Sequence, residues 1–290
     1  TNTTITAPGY YVLCNSLNPG LIVINSDNVT LDLAGLVLSH DGSTSTAPAI
    51  TINNNRSNVT VQNGTIENYS NHDGISVGTG TSRINLFDLS IYNTNPRCVN
   101  LQGTTGGWIK NCDFSQSVTG IEITNSRSLL IKNCTSLYND ITGFSLVSSG
   151  TNCIQGCKAL ANGSATTGNA YGFRSENGSG NLFIECIADA TQTTTSGYDI
   201  TVAGFSLAGT ENCSKITHCC SMNTFAPFTS SSLGSLPFTV SPTPYGIELP
   251  YTFPTPTLEV EYGTTTAASI RTVHWSPDGK YALITFSSGV

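Results

Sequence analysis

The stretch TGIEITNSRSLLIKNCTSLYND, residues 119–140, is one unit of a repeat that runs through most of this 290-residue chain. It opens on Gly120-Ile121-Glu122-Ile123, crosses a polar break and closes on Ile131-Lys132-Asn133-Cys134. The opening recurs at Ala49-Ile50-Thr51-Ile52, Gly74-Ile75-Ser76-Val77, Cys98-Val99-Asn100-Leu101, Gly143-Phe144-Ser145-Leu146, Gly172-Phe173-Arg174-Ser175, Gly204-Phe205-Ser206-Leu207 and Gly246-Ile247-Glu248-Leu249. Successive openings are 25, 24, 22, 23, 29, 32 and 42 residues apart. A period of this size marks a solenoid, in which each unit buries its apolar face only against its neighbours.

The second half of each unit keeps the register. Fourteen residues after the openings stand Asn63, Asp88, Cys112, Cys134, Cys157 and Cys186, with Cys219 fifteen after its own. This column is expected to form a structural ladder. Within the units, apolar residues alternate with Thr, Ser, Asn and Lys at period two, which favours strands over helices. Strands joined to their equivalents one turn later all run in one direction, so they pair in parallel, and such crossovers are right-handed. The expected fold is therefore all-β, a right-handed parallel β-helix of about eight to nine coils, each adding ~4.8 Å. Residues 1–27 are expected to form an N-terminal cap over the open edge, and residues 28–236 the coils.

The repeat, with its Pro8-Gly9-Tyr10-Tyr11 start followed by the run NVTLDLAG at residues 28–35, resembles the right-handed parallel β-helix (pectin-lyase-like) superfamily over roughly residues 5–250. A polysaccharide or surface glycan as partner is expected from the polar, weakly charged strand face and the loop wall beside it; that resemblance implies the fold. It implies no particular activity: the chain lacks the Asn-Thr-Asp, Asp-Asp, Gly-His-Gly and Arg-Ile-Lys motifs of the pectin-cleaving hydrolases in this superfamily, and Asn71-His72-Asp73 echoes only part of the first. It admits calcium, but no triad of acidic residues on neighbouring coils matches a pectate-lyase calcium site, so no cofactor and no metal are expected.

Composition narrows the partners. Charged residues make up 10%, and the net charge is −7 with only 11 Lys plus Arg. No basic patch is available for a nucleic-acid backbone. No apolar run is long enough to span a bilayer, no signal peptide is visible, and the chain begins as though cut from something longer. No feature specifies an oligomeric state. Of the ten cysteines, those of the ladder are expected to be stacked, reduced and inward-facing, packing as small hydrophobes. The alternative is disulfides among Cys14, Cys98, Cys153, Cys213 and Cys220; the Cys153-x-x-x-Cys157 spacing lacks the His pair of a zinc site. Ten Asn-x-Ser/Thr triplets, including Asn28, Asn58, Asn63 and Asn133, are either glycan acceptors or by-products of an Asn- and Thr-rich coil. Asp32 similarly reads as a functional carboxylate or, preferably, as an acceptor for turn amides near Gly35.

If Ile121 and Ile123 face inward, Glu122 faces out, along with Thr51, Ser76, Asn100, Ser145, Arg174, Ser206 and Glu248. Inserts at residues 158–170, 188–202 and 221–245 fall at one corner and would wall this face, leaving a groove beside it. Asp73, Arg97 and Glu122 fall close together in register and are the candidate catalytic residues; Asn100, Glu122, Arg174 and Glu176 are the candidate substrate-binding ones. Acid/base chemistry on a glycan needs such carboxylates, with a cation to stabilise developing charge. The competing interpretation is an ion-pair ladder of small energetic value. His40, His72 and His218 are too scattered to hold a metal.

Residues 237–264, rich in Pro and aromatics, would form an irregular last coil, a cap or a linker. In residues 265–290 two strand-like runs flank Ser276-Pro277-Asp278-Gly279, a turn sequence. The run WSPDGK at 275–280 resembles a blade of a WD-repeat or Tol-type β-propeller, with His274 packing inside it. One hairpin cannot make a propeller, so this is either part of a longer protein or a hairpin reused as a cap. The chain is thus expected to be an extracellular or cell-surface β-helix that binds glycan. The alternatives are a polysaccharide lyase, hydrolase or epimerase using the same face, and a structural spacer.

Overall fold

The computed structural model describes residues 2–40, 47–163, 169–189, 202–209, 214–222, 226–230, 269–275 and 282–287. The chain divides into two units, Thr1–Thr243 and Pro244–Val290. The first is a coil of parallel strands. Ten strands, one per turn, stack into a first sheet: Asn2–Ile5, Leu21–Ile24, Ile50–Ile52, Ile75–Val77, Arg97–Gln102, Thr119–Thr124, Thr142–Val147, Ala170–Glu176, Val202–Ala208 and Ala226–Ser230. A second, fifteen-stranded sheet carries the rest of each turn. In two coils this is a single bent strand, Ser57–Glu67 and Ser82–Tyr92; from Thr105–Lys110 and Asp113–Ser115 onward it is broken in two at the corner.

The expected cap belongs to the coil. Asn2–Ile5 pairs in parallel with Leu21–Ile24, and Gly9–Val12 with Val29–Asp32, so the N-terminal residues already form a rung in each sheet. At the other end, the strand after Val202–Ala208 is Ala226–Ser230, with Thr229 opposite Ser206. Gly246-Ile247-Glu248-Leu249, expected as the next opening, lies outside the described residues. The sequence signal was missed because Pro227 stands where the other openings have Gly, Ala or Cys.

Alternation explains the core. Ile50/Ile52, Ile75/Val77, Val99/Leu101, Ile121/Ile123 and Phe144/Leu146 are buried pairs on successive rungs. Phe144, Phe173 and Phe205 stack face to face with centroids 4.8 Å apart at each step, so the ring spacing equals the strand spacing. The opening glycines have a steric cause: a Cβ on Gly120 would stand 2.6 Å from Gly143 O, and one on Gly143 2.6 Å from Gly172 O. The next coil's backbone occupies the space a side chain would need.

The ladder needs one correction. Cys112, Cys134, Cys157, Cys186 and Cys219 do form one column, whose earlier members are Gly64 and Leu89. Asn63 and Asp88 stand one position earlier, in the column of Asn111, Asn133, Gly156, Glu185 and His218. The turn from first to second sheet has one residue fewer from the coil of Val99 onward, so a constant offset crosses into the neighbouring column. Every member of this other column has positive φ, from 52° to 61°. It is a left-handed corner, which explains its Asn and Gly content.

Buried polar ladders line two further corners. Asn139 accepts from Ser117 N and donates to Phe114 O and to Asn162 Oδ1. Asn152 repeats the pattern with Leu129 N, Ser126 O and Asn181 Oδ1. Each side-chain amide bonds the backbone that the turn leaves unpaired. Of the inserts expected at 158–170, 188–202 and 221–245, the first two begin in the third strands Lys158–Leu160 and Ile187–Asp189, while the third is interrupted by Ala226–Ser230, which is a rung of the first sheet; residues 164–168, 190–201, 223–225 and 231–245 lie outside the described set. So do residues 237–264. In the second unit, Ser269–Trp275 and Ala282–Ser287 form an antiparallel hairpin, and its expected turn at 276–279 is outside the described residues.

Candidate functional site

Asp73 and Arg97 occupy the same place on successive rungs, just before the opening residue, and Glu122 lies one rung further, in the outward column. Arg97 bridges them. Its Nε donates to Asp73 Oδ1 at 2.9 Å, its Nη2 approaches Asp73 Oδ2 at 3.5 Å, and its Nη1 donates to Glu122 Oε1 at 2.6 Å. Asn100 Nδ2 donates to Asp73 Oδ2 at 3.0 Å. Asp73 is buried, whereas Arg97 and Glu122 keep 24% and 28% of their side chains exposed. Burial opposes the charge on Arg97, but hydrogen bonds and attraction from Asp73, joined by Glu122, outweigh it and raise its pKa.

The outward column is as expected up to Ser206: Thr51, Ser76, Asn100, Glu122, Ser145, Arg174 and Ser206 pair in register. Their accessibility differs from a uniformly open face. Asn100, Ser145 and Ser206 are buried, so Asn100 supports Asp73 through its Nδ2 rather than meeting solvent. Its Oδ1 has no partner among the described residues. Two rungs beyond Glu122, about 9.6 Å along the axis, Arg174 donates to Glu176 at 2.6 Å and lies 5.0 Å over the Tyr171 ring. Arg174 Nε is buried without a partner among the described residues. The face therefore carries two cation–carboxylate groups separated by the low step at Ser145.

Candidates elsewhere resolve differently. Asp32 accepts from Tyr10 Oη at 2.5 Å, Ala34 N at 2.8 Å, Gln62 Nε2 at 3.0 Å and Asn63 Nδ2 at 3.2 Å. Those donors, Tyr10 foremost and then the Ala34 amide, lower its pKa to about 2. This is turn chemistry close to that expected near Gly35. Asn28, Asn58, Asn63 and Asn133 are exposed left-handed corner residues, and Asn58 Nδ2 donates to Asn28 Oδ1 at 2.8 Å. The nine described cysteines are all free, and Cys213 lies outside the described residues. Among the described residues no group of His, Cys, Asp and Glu is arranged to hold a metal ion, and no helix is long and apolar enough to cross a membrane.

Two residue sets were not singled out from the sequence. The Asn139–Asn162 and Asn152–Asn181 ladders carry a signal, since each pair is separated by the local coil period. Tyr171 carries none, because its neighbours on adjacent rungs are Thr142 and Ala203.

A stack of parallel coils presenting one polar strand face defines a parallel β-helix protein. The chain belongs to the family described as right-handed beta helix region, whose model matches residues 48–225, more than half of its length. Comparison with curated protein sequences returns no match. Among solved structures it is similar to the enzymatically active domain of tailspike protein 2 from bacteriophage CBA120, at 13% identity and TM-score 0.56, covering 76% of this chain and 38% of that one. It is also similar to ORF18 of Geobacillus virus E2, at 16% identity and TM-score 0.59, covering 77% and 52%. The chain thus spans about half or less of these structures, and at such identities the likeness is one of fold.

Proposed function

We propose that the chain is a rigid binding module that recognises a polysaccharide or surface glycan along the outward face of the first sheet, in an extracellular or cell-surface setting. The observation that carries this reading is the state of the two candidate carboxylates. Asp73 and Glu122 are both tied to Arg97, and Asp73 also to Asn100. A glycosidase needs one carboxyl group free to give a proton and another free to accept one or attack. Held as they are, the groups offer fixed acceptors and donors for sugar hydroxyls instead. The Arg174–Glu176 pair repeats such a group further along, so a chain laid across the low Ser145 step would meet polar contacts on both sides.

The enzyme reading, as a lyase, hydrolase or epimerase, draws on the same residues and on the tailspike neighbour's being an enzymatically active domain. A glycan array and a polysaccharide-depolymerisation screen, run with Arg97→Ala and Glu122→Ala, separate the two. Binding without new reducing or unsaturated ends, weakened in both variants, is the expected result. Product formation abolished by either substitution would move the protein into the enzyme class.

A further inference from the structure

Beside the strand face, at the corner where the third strand of each coil turns into the first sheet, the structure holds a cavity of about 380 Å³. That is the lower range of small-ligand sites. Ser70, Asn95, Gln116, Val118, Tyr138 and Asp140 line it. The side chains of Ser70, Asn95, Gln116 and Tyr138 make no hydrogen bond among the described residues, although many other polar side chains of this coil are bonded to a neighbouring rung. Tyr138 is the most exposed aromatic near the strand face, at 57%.

Its backbone sharpens the point. Tyr138 has φ 54° and continues a left-handed corner row of Asn68, Asn93 and Gln116. Asn adopts that conformation more readily than a bulky aromatic does. The Tyr138 ring thus stands largely exposed beside these amides and hydroxyls, in a backbone position that favours Asn.

The cavity is also built onto the Arg97 region. Thr94, another wall residue, donates from Oγ1 to Arg97 O at 3.0 Å, while Val118 N and Thr119 N donate to Pro96 O at 3.1 and 3.0 Å. The notch therefore opens at the leading end of the strands that carry Arg97 and Glu122. Among the described residues no Lys or Arg lines it, and Asp140 does.

We infer that this notch is a subsite for one neutral pyranose unit, stacked by its apolar C–H face on Tyr138 and hydrogen-bonded through its hydroxyls to Gln116, Asn95 and Ser70. Resting on the glycan-binding reading above, it adds the sugar class and a position for a terminal or branch residue of the bound chain. Asp140 selects against carboxylated or sulfated units.

The test is a glycan array followed by titration calorimetry of the neutral oligosaccharides it selects, using wild type, Tyr138→Asn, Tyr138→Phe and Arg97→Gln. Tyr138→Asn suits the left-handed corner, so folding is retained while the ring is lost. The expected result is a loss of about tenfold in affinity for Tyr138→Asn and within about twofold for Tyr138→Phe, which keeps the stacking surface. If Tyr138→Asn binds like wild type while Arg97→Gln weakens, the notch is not a subsite and the strand-face reading stands. Binding confined to acidic glycans overturns the neutral assignment alone. If wild type binds no glycan on the array, both readings fall.

Discussion

Arg97 and Glu122 sit on successive rungs of the coil, yet their side chains meet at 2.6 Å, with the other side of the guanidinium held by buried Asp73. The two carboxylates are not equivalent in this arrangement. Removing the cation strands Asp73 in a nearly dry site, whereas Glu122 can turn to solvent. Arg97→Ala is expected to cost about 2 to 3 kcal/mol of stability, and Glu122→Ala about 1 or less. Denaturant melts of both, with the double variant to close the cycle, check this. Equal costs would mean that the cluster is an exposed ladder after all.

Asn139 is expected to be among the least replaceable polar residues. Its amide nitrogen faces three oxygens, on Phe114, Ser136 and Asn162, and its carbonyl receives Ser117 N. Asn139→Ala should cost about 2 to 3 kcal/mol, because backbone groups lose their partners in the interior. Asn139→Asp should cost more, since a carboxylate would point at acceptors with no water to relieve it. Thermal unfolding of the two variants gives the order, and an Asp variant as stable as Ala would argue that water reaches this corner.

Asp32 sets a pH dependence. Its pKa falls from 3.8 to about 2 in the folded chain, so the unfolded state binds the proton more readily. The stabilisation is complete above the unfolded value and is lost as pH falls through the folded one. Stability should therefore decline between about pH 4 and pH 2. In Asp32→Asn this part of the slope should vanish, leaving the acid response of the other carboxylates. The carboxylate is only partly buried, so the quantity to read is the difference in slope between the two proteins. An unchanged slope would mean that the Tyr10 and Ala34 contacts do not favour the ionised form.

The coil was legible in the sequence because a strand period of two, repeated at one spacing, has few other solutions. The outward column could be counted from Ile121 and Ile123 as far as Ser206, since nothing interrupts a strand's alternation. Counting failed where it crossed a turn: the loss of one residue between the sheets shifted Asn63 and Asp88 by a column. It failed again at Ala226–Ser230, where Pro227 replaces the small residue used as a marker. The Arg97 cluster was legible as proximity in register, but its bonding was not. Side chains that bridge rungs depend on which carboxylate is buried, and alternation alone did not reveal that Asn100, in an outward position, would be covered. Tyr138 was invisible because its role rests on a backbone angle and a cavity rather than on a residue pattern.

The column from Cys112 to Cys219 makes a further prediction about reactivity. Cys112, Cys134, Cys157 and Cys186 are buried, each with its sulfur directed at a backbone carbonyl, as in the 3.2 Å contact of Cys112 with Lys110 O. Outside the column, burial pushes the Cys98 thiol up to about 11. The thiolate is the reactive form, so Cys98 should be protected both by packing and by protonation, and the column cysteines by packing. Cys14 is exposed, and Cys153, Cys219 and Cys220 are partly so. Maleimide labelling of the native protein, followed by peptide mass analysis, should modify Cys14 first, then Cys153, Cys219 and Cys220, and leave Cys98 and the four buried column residues untouched. Adding denaturant should release these five together if the coils unfold cooperatively. Staggered release along the axis would instead show that the solenoid opens rung by rung, as expected where stability is a sum of neighbour contacts. Labelling of Cys134 in the native state as fast as Cys14 would contradict the buried column itself.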